Sequence, residues 1–350
     1  IPLWALFADL GYSVEAVSPE DIRADRATSY PVWLFSALTC QWPECQRIAK
    51  VIRRHDPEAI LIVGGYHASA VPDDEGMELF DVVVVGEGET AARRIIEQVE
   101  RLNKASTRPP SAIMRSPRCE RLDALPWATR RKCEAEQFKL EGLMYPSPSR
   151  QHAVAALLLS RGCNSLCSFC ASHTIWGRRL VTRDVDCVTE EVAHVMHTLG
   201  ANALVFVDQA FGEDVAWVQT LCSRLQDVPS HANWYCMAKP TLSADLLPIM
   251  SASGCTKIGF GVETADSHMR MSLNRPDCGG IDDFNSLFRA CNQVGIFVKV
   301  YLMIGFPWET PDYLLQTTRC FLERLEANEL KITFFTPFPG TDDWAKYSDN

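Results

Sequence analysis

Short runs of Val, Ile and Leu alternate along the chain with longer stretches whose apolar residues recur every three or four positions. In the first third, residues 32–38, 59–63 and 81–85 read as strands, and residues 43–55 and 90–102 as helices. Strands that are apolar at nearly every position need cover on both faces, which calls for parallel strands joined by helices. The pattern predicts a doubly wound, Rossmann-like α/β domain over residues 1–115, with ligands at the carboxyl ends of its strands. The chain opens on a helix-like run, residues 2–11, so the strand that normally begins such a domain is expected upstream of Ile1.

Periodicity fades from residue 103. Pro109, Pro110, Pro117, Pro126, Pro146 and Pro148 punctuate the next stretch of chain, and residues 116–151 read as a linker. Over residues 152–350 a strand–helix unit repeats six times. The strands are 155–160, 203–207, 233–237, 257–262, 298–304 and 331–336, with helix-like runs such as 190–199, 215–225, 244–253 and 312–325 between them. Gly200, Gly254 and Gly295 sit where helix C-caps belong. Right-handed crossovers curl such a series into a partial (β/α)6 barrel of TIM type, whose functional residues gather where strands end.

Composition narrows the function. A hydrophobic fraction of 47% with 22% charged residues is that of a folded chain. The net charge of −10 repels phosphate backbones, which argues against nucleic acid as the main partner. No apolar run reaches the roughly 20 residues that a bilayer requires. Residues 1–10 lack the basic leader of a signal peptide. The 14 cysteines, in a chain long enough to form a core, fit a reducing cytoplasm with several thiols given to a metal centre. Cys187, Cys222, Cys291 and Cys320 lie in apolar helix-like runs and are expected as small core residues.

The chemistry concentrates just after the first barrel strand, in Cys163-Asn-Ser-Leu-Cys167-Ser-Phe-Cys170. Three thiols without a nearby fourth leave one metal vertex open, as a site that binds substrate at the metal requires. A zinc knuckle completed by His173 is the alternative. The spacing Cys-x3-Cys-x2-Cys, with Phe169 before the last cysteine, resembles the signature of the radical S-adenosylmethionine (SAM) superfamily. The resemblance implies that Cys163, Cys167 and Cys170 hold a [4Fe–4S] cluster whose open iron chelates SAM. It also implies an electron transfer that splits SAM into methionine and a 5′-deoxyadenosyl radical.

Further segments resemble parts of the same family. Gly259-Phe-Gly261-Val-Glu263 resembles its Gly-x-Glu segment, which implies approach to the methionyl and ribose parts of SAM. Ile304-Gly305-Phe-Pro-Trp-Glu309 and Thr336-Pro-Phe-Pro-Gly340 resemble segments of the branch found behind cobalamin domains, with the backbone around Gly305 implied to face the adenine. Asp208 closes the second barrel strand, where it can meet cofactor or substrate. Arg275 either pairs with a carboxylate or lies solvated on the surface.

In the first domain, Ser36-Ala-Leu38 is followed about two dozen residues later by Gly64-Gly65, then His67 and Gly86-Glu-Gly-Glu89. This series resembles cobalamin-binding domains. The resemblance implies that Ser36 and Leu38 border the cofactor's nucleotide tail, with Gly64 and Gly65 leaving room beside the backbone. His67 is implied near the cofactor, as a hydrogen-bonding loop histidine or as a cobalt ligand. The Asp-x-His-x-x-Gly element that carries a cobalt-binding histidine in some relatives would fall before Ile1.

Together these features resemble the cobalamin-dependent radical SAM enzymes. That family implies C-methylation of an unactivated carbon in a small natural-product intermediate, with electrons from an external flavodoxin- or ferredoxin-type donor. A non-methylating rearrangement (ring contraction, cyclisation, oxidation or sulfur chemistry) and a non-catalytic iron–sulfur binding module are the alternatives.

Overall fold

The computed structural model describes residues 2–17, 19, 22, 29–104, 109–128, 154–228, 233–275 and 279–348. The chain divides into two compact units. One comprises Ile1–Thr129, Phe169–Arg178 and Pro337–Asn350; the other comprises Arg130–Ser168 and Arg179–Thr336. The division is therefore not a single cut, because two segments beyond residue 168 count with the first unit. Residues 129–151 of the expected linker lie outside the described residues.

The first unit is built on four parallel strands, β1 (Val32–Ser36), β2 (Ile60–Gly64), β3 (Val82–Val85) and β4 (Ala112–Arg115), which neighbour one another in that order. Helices α1 (Pro2–Asp9), α2 (Trp42–His55), the short α3 (Tyr66–Ala70) and α4 (Gly88–Lys104) accompany them. Successive residues of a strand face opposite sides, and β2 shows what that requires here. Leu61 and Val63 share a core with Ile48, Ala49 and Ile52 of α2. Ile60 and Ile62 share another with Phe7 of α1 and Ala91, Ala92 and Ile95 of α4. A continuous apolar strand is thus covered on both faces. Arg53 of α2 donates Nη2–H to Asp81 Oδ2 at 2.6 Å, and the same oxygen accepts the Leu61 N–H at 2.7 Å, fastening helix to sheet.

β4 falls where the apolar pattern predicts no strand. Only Met114 of its four residues is buried, so the run carries too little alternation to read. Its register against β3, from Val82↔Ala112 to Val85↔Arg115, makes it a strand.

The second unit opens with β5 (Val154–Leu157) and a small antiparallel ribbon, β6 (Ser160–Arg161) with β7 (Val181–Thr182), which precedes the helix Val185–Leu199. The remaining strands are β8 (Ala203–Phe211), β9 (Asn233–Ala238), β10 (Cys255–Glu263), β11 (Phe297–Ile304) and β12 (Glu329–Phe334). Apart from the ribbon they form one six-stranded, all-parallel sheet in the order β12-β11-β10-β9-β8-β5. Ile258, Phe260 and Val262 of β10 join the large core that takes in the helices Val185–Leu199, Val215–Gln226 and Ile281–Gln293. The alternate residues Lys257, Gly259, Gly261 and Glu263 face the other way. The six predicted strands all form: β8, β9, β10 and β11 run longer than the pattern indicates, β12 begins two residues earlier, and β5 is shorter. This is the strand–helix series of a partial barrel.

The core-cysteine expectation holds for Cys222 and Cys291, which are fully buried, but Cys187 is half-buried and Cys320 is exposed. For Cys320 the reason is local. A π turn, Leu314–Thr318, interrupts the helix-like run between Pro311 and Arg324. Its extra residue per turn rotates the following positions away from a 3.6-residue extrapolation. Phe321 takes the inward place and Cys320 faces out. Among the described residues no helix is long and apolar enough to cross a membrane.

Candidate active site

The ribbon β6–β7 brackets the stretch that carries the cysteines. Ser160, the first residue of the ribbon, donates Oγ–H to Asp208 Oδ1 at 2.5 Å. Asp208 is buried on β8, and that burial pushes its carboxyl up to about 6, against the pull of the Ser160 hydroxyl and nearby backbone amides. Asp208 thus ties the base of the cysteine loop to the sheet. Among the described residues its Oδ2 and the neighbouring Gln209 Oε1, both buried, meet no hydrogen-bond partner, a demand that a polar ligand or water would meet.

The thiols have distinct surroundings. Cys163, half-buried, donates Sγ–H to Glu213 Oε1 at 3.7 Å, and Glu213 is in turn paired with Lys239. The Asn164 N–H reaches the other Glu213 oxygen at 3.4 Å. Cys167 is buried, and Arg275 donates Nη1–H to its sulfur at 3.6 Å. Cys170 is half-buried and belongs to the segment that counts with the first unit, where its carbonyl accepts from His173 Nδ1–H at 2.8 Å. That segment continues into the short helix His173–Trp176, and Trp176 Nε1–H donates to the Tyr66 hydroxyl of α3 at 2.6 Å. Among the described residues no three His, Cys, Asp or Glu side chains converge as ligands of one metal ion.

The glycines of β10 act differently from the expectation of ligand approach. A Cβ at Gly259 would stand 2.5 Å from the Tyr235 hydroxyl and 2.7 Å from Tyr301 Cε2, so the glycine makes room for a tyrosine pair whose hydroxyls are 2.8 Å apart. A Cβ at Gly261 would collide with Glu263 Oε1, so that glycine makes room for the glutamate's own side chain. Glu263 adopts φ +72°, rare for a residue with a side chain, and burial pushes its carboxyl above the usual range, opposed by Arg275 at 3.7 Å. Arg275 is buried at 7% exposure, which removes the solvated-surface alternative. At the end of β11, Gly305 is exposed at φ +82°, and its N–H donates to the Glu309 carboxylate at 2.5 Å. That amide is therefore satisfied within its own loop.

In the first unit, Ser36 and Leu38 are exposed at the carboxyl end of β1, the edge where ligands bind in open parallel sheets. Gly65, at φ +97°, does not leave open space: a Cβ there would stand 2.8 Å from both the N and the O of Ala37. Its missing side chain lets the loops after β1 and β2 close together, sealed by Ala37 N–H to Gly64 O at 2.9 Å and His67 N–H to Ala37 O at 3.0 Å. Gly64 has only ordinary contacts, with Val84 at 3.6 Å. His67 is not presented to a ligand. It is 3% exposed, with Nε2 on Asp74 at 3.0 Å, Nδ1 on Thr39 Oγ1 at 3.4 Å, and its ring against Trp42 at 4.7 Å. Burial lowers its pKa, opposed by Asp74. Of the two readings of His67, these contacts are those of a hydrogen-bonding loop histidine.

Residues 7–96 match the B12 binding domain family, and residues 157–321 match the radical SAM superfamily. The chain joins a B12 binding domain to a radical SAM domain. Its cofactors are a [4Fe–4S] cluster, SAM and cobalamin. Over 97% of its length the radical SAM chain is 22% identical to an uncharacterized methyltransferase of Pyrococcus horikoshii, of which it spans 71%. It is 23% identical over 79% of its length to the cytidylyl-2-hydroxyethylphosphonate methyltransferase of Streptomyces wedmorensis, of which it spans 58%. The fold is also that of the radical SAM methyltransferase TsrM from Kitasatospora setae, solved with cobalamin and a [4Fe–4S] cluster bound. The TM-score is 0.73 at 17% identity, covering 99% of this chain and 74% of that one.

The residues fit these groups. Thiols with an arginine N–H on one sulfur suit a cluster, because the cation offsets thiolate charge. An exposed hydroxyl and an exposed leucine at the sheet's carboxyl edge suit a cobalamin tail. Glu213 and Lys239 were not legible as part of this site. Glu213 lies just past the Phe-Val-Asp-Gln-Ala-Phe-Gly run ending at Gly212, and nothing in its type marks it as facing Cys163.

Proposed function

We propose that this protein is a methyltransferase that methylates an unactivated carbon of a small biosynthetic intermediate. The observation that carries the reading is the three-thiol run Cys163, Cys167 and Cys170 opening the barrel of a chain that also has a B12 binding domain. The methyltransferase names of the Pyrococcus and Streptomyces relatives support the outcome. In this reading Cys163, Cys167 and Cys170 hold the cluster. Glu263 receives the polar end of SAM, with Gly259 and Gly261 shaping the strand that presents it. Phe169 immediately precedes the last thiol along the chain, and the Gly305 loop borders the nucleoside. Ser36 and Leu38 hold the cobalamin tail, with Gly64 and Gly65 fixing the adjoining loop. When bound, the cluster and SAM supply a hydrogen-abstracting carbon radical, and cobalamin supplies the methyl group. The chain's own share is to place these groups and exclude water. Asp208 holds the cysteine loop through Ser160, and Arg275 braces Cys167 and Gly261. The electron donor is of the flavodoxin or ferredoxin type, and the 14 cysteines suit a reducing cytoplasm.

The test is anaerobic reconstitution with iron, sulfide and cobalamin, followed by a low-potential reductant and SAM. The expected products are 5′-deoxyadenosine and, with substrate, S-adenosylhomocysteine and a methylated product. Replacing any one of the three cysteines with alanine should abolish 5′-deoxyadenosine formation. Zinc bound with a fourth side-chain ligand would overturn the reading.

A further inference from the structure

We propose that Arg275 is a positioning residue that sets the reduction potential of the cluster through the sulfur of Cys167. The inference rests on the reading of Cys163, Cys167 and Cys170 as cluster ligands. Arg275 sits just after the helix Ser267–Ser272, in a turn where Asn274 adopts φ +55° and the Arg275 N–H returns to the Arg270 carbonyl at 2.8 Å. The turn aims the guanidinium back into the barrel unit. Nη1–H donates to Cys167 Sγ at 3.6 Å, and Nη2–H donates to the Gly261 carbonyl at 2.7 Å. Glu263 Oε1 lies 3.7 Å from the same Nη1. A second contact supports the loop: the Ser168 N–H, next to Cys167, donates to the Leu273 carbonyl at 3.2 Å. The turn at 273–275 therefore grips the central cysteine by backbone and by side chain.

The consequence is electrochemical. A cluster gains negative charge when it is reduced, and the potential follows hydrogen bonds to its sulfurs and the charge near them. A cation on one thiolate favours the more negative, reduced form and raises the potential. Burial keeps water from screening that effect. The planar fork also matters, because it holds the sulfur and a carbonyl at once, which a single ammonium does not do with the same geometry. In this chain the arginine brings the cluster within reach of its donor.

The experiment uses the full chain, reconstituted anaerobically without substrate or SAM. Iron and sulfide content are measured first, then the midpoint potential by electron paramagnetic resonance during a redox titration. Arg275→Gln removes the charge and should keep wild-type iron and sulfide, with a midpoint more negative than wild type. Arg275→Lys restores the charge without the fork and should lie between the two. Equal midpoints in wild type and Arg275→Gln would overturn the proposal, as would equal shifts in both variants. If Arg275→Gln does not fold, Arg275→Lys decides alone: a midpoint below wild type supports the proposal, and an unchanged one overturns it. Failure of the parent reading looks different, since wild-type protein would then hold no cluster to titrate.

Discussion

At the scale of single residues, the barrel's polar positions are set by what each side chain lacks or is denied. Asp208 is denied water, and its carboxyl titrates near 6 where an unburied one titrates near 3.8. Between those values the folded protein holds a proton that the unfolded chain has released. The carboxyl's contribution to stability is therefore greatest below about pH 4, falls as pH rises to about 6, and is flat above that. Two units correspond to about 3 kcal/mol. Asp208→Asn has no such titration, so the stability of wild type relative to the variant should fall by about 2–3 kcal/mol between pH 4 and pH 7. Urea midpoints at the two pH values read it, and a constant difference would count against the assignment. Gly259 shows the opposite economy, because its lack of a side chain is occupied by the Tyr235–Tyr301 pair. Gly259→Ala should cost about 1–3 kcal/mol through overpacking. Removing the nearest offending atom with Tyr235→Phe should recover part of that in the double variant, measured as non-additive denaturation midpoints.

At the scale of elements, the last strand is fastened by charge rather than by apolar cover. Glu329 on β12 meets Lys299 on β11 and Lys257 on β10, each at 2.5 Å, and Lys257 is fully buried. Removing the shared carboxylate leaves buried ammonium groups uncompensated. Glu329→Gln should destabilise the chain by about 2–3 kcal/mol, at the low end for a buried pair because Glu329 itself is partly exposed. Replacing Lys257 with Met as well should be milder than Glu329→Gln alone; chemical denaturation of the two variants tests the order. The same scale marks how far sequence reasoning reaches. β2 and β3 were legible because full burial writes runs of Val, Ile and Leu; β12, mostly exposed, was legible only as the sixth unit of a repeating strand–helix series. β4 was not, since a short edge strand with one buried residue writes no pattern. The orientation of Cys320 was not, because a π turn shifts helical phase without any sequence mark. At the site, the spacing of Cys163, Cys167 and Cys170 was visible along the chain. The partners Arg275 and Glu213 come from distant turns and strand ends, and only the fold brings them to the thiols, with Lys239 paired to Glu213. His67 was visible as a motif residue, but its engagement by Thr39 and Asp74 was not.

At the scale of the whole molecule, each unit carries its own core. The four-stranded sheet is packed on its two faces by separate clusters built around Leu61 and Val63, and around Ile60 and Ile62. The barrel's core gathers Phe206, Trp234, Phe260 and Phe288 with the helices outside the sheet. Fully burying side chains of this size contributes about 1.5–3 kcal/mol each, so neither unit needs a cofactor to supply its core. Loading of the two cofactors should then be separable. A variant with Cys163, Cys167 and Cys170 all replaced by alanine should lose its iron yet bind cobalamin with an affinity within about threefold of wild type, less than about 1 kcal/mol. Conversely, Ser36→Trp places a large ring at an exposed position on the carboxyl edge of β1. It should weaken cobalamin binding by at least about tenfold, some 1.4 kcal/mol, while iron and sulfide content stay at the wild-type level. Corrin absorbance titrations and iron analysis on the same preparations read both quantities. If the triple alanine variant lost cobalamin as well, the thiolate cluster would be a folding requirement for the first sheet, and two independent cores would no longer describe the molecule. If Ser36→Trp bound cobalamin normally, the tail would have to enter elsewhere than the edge marked by Ser36 and Leu38.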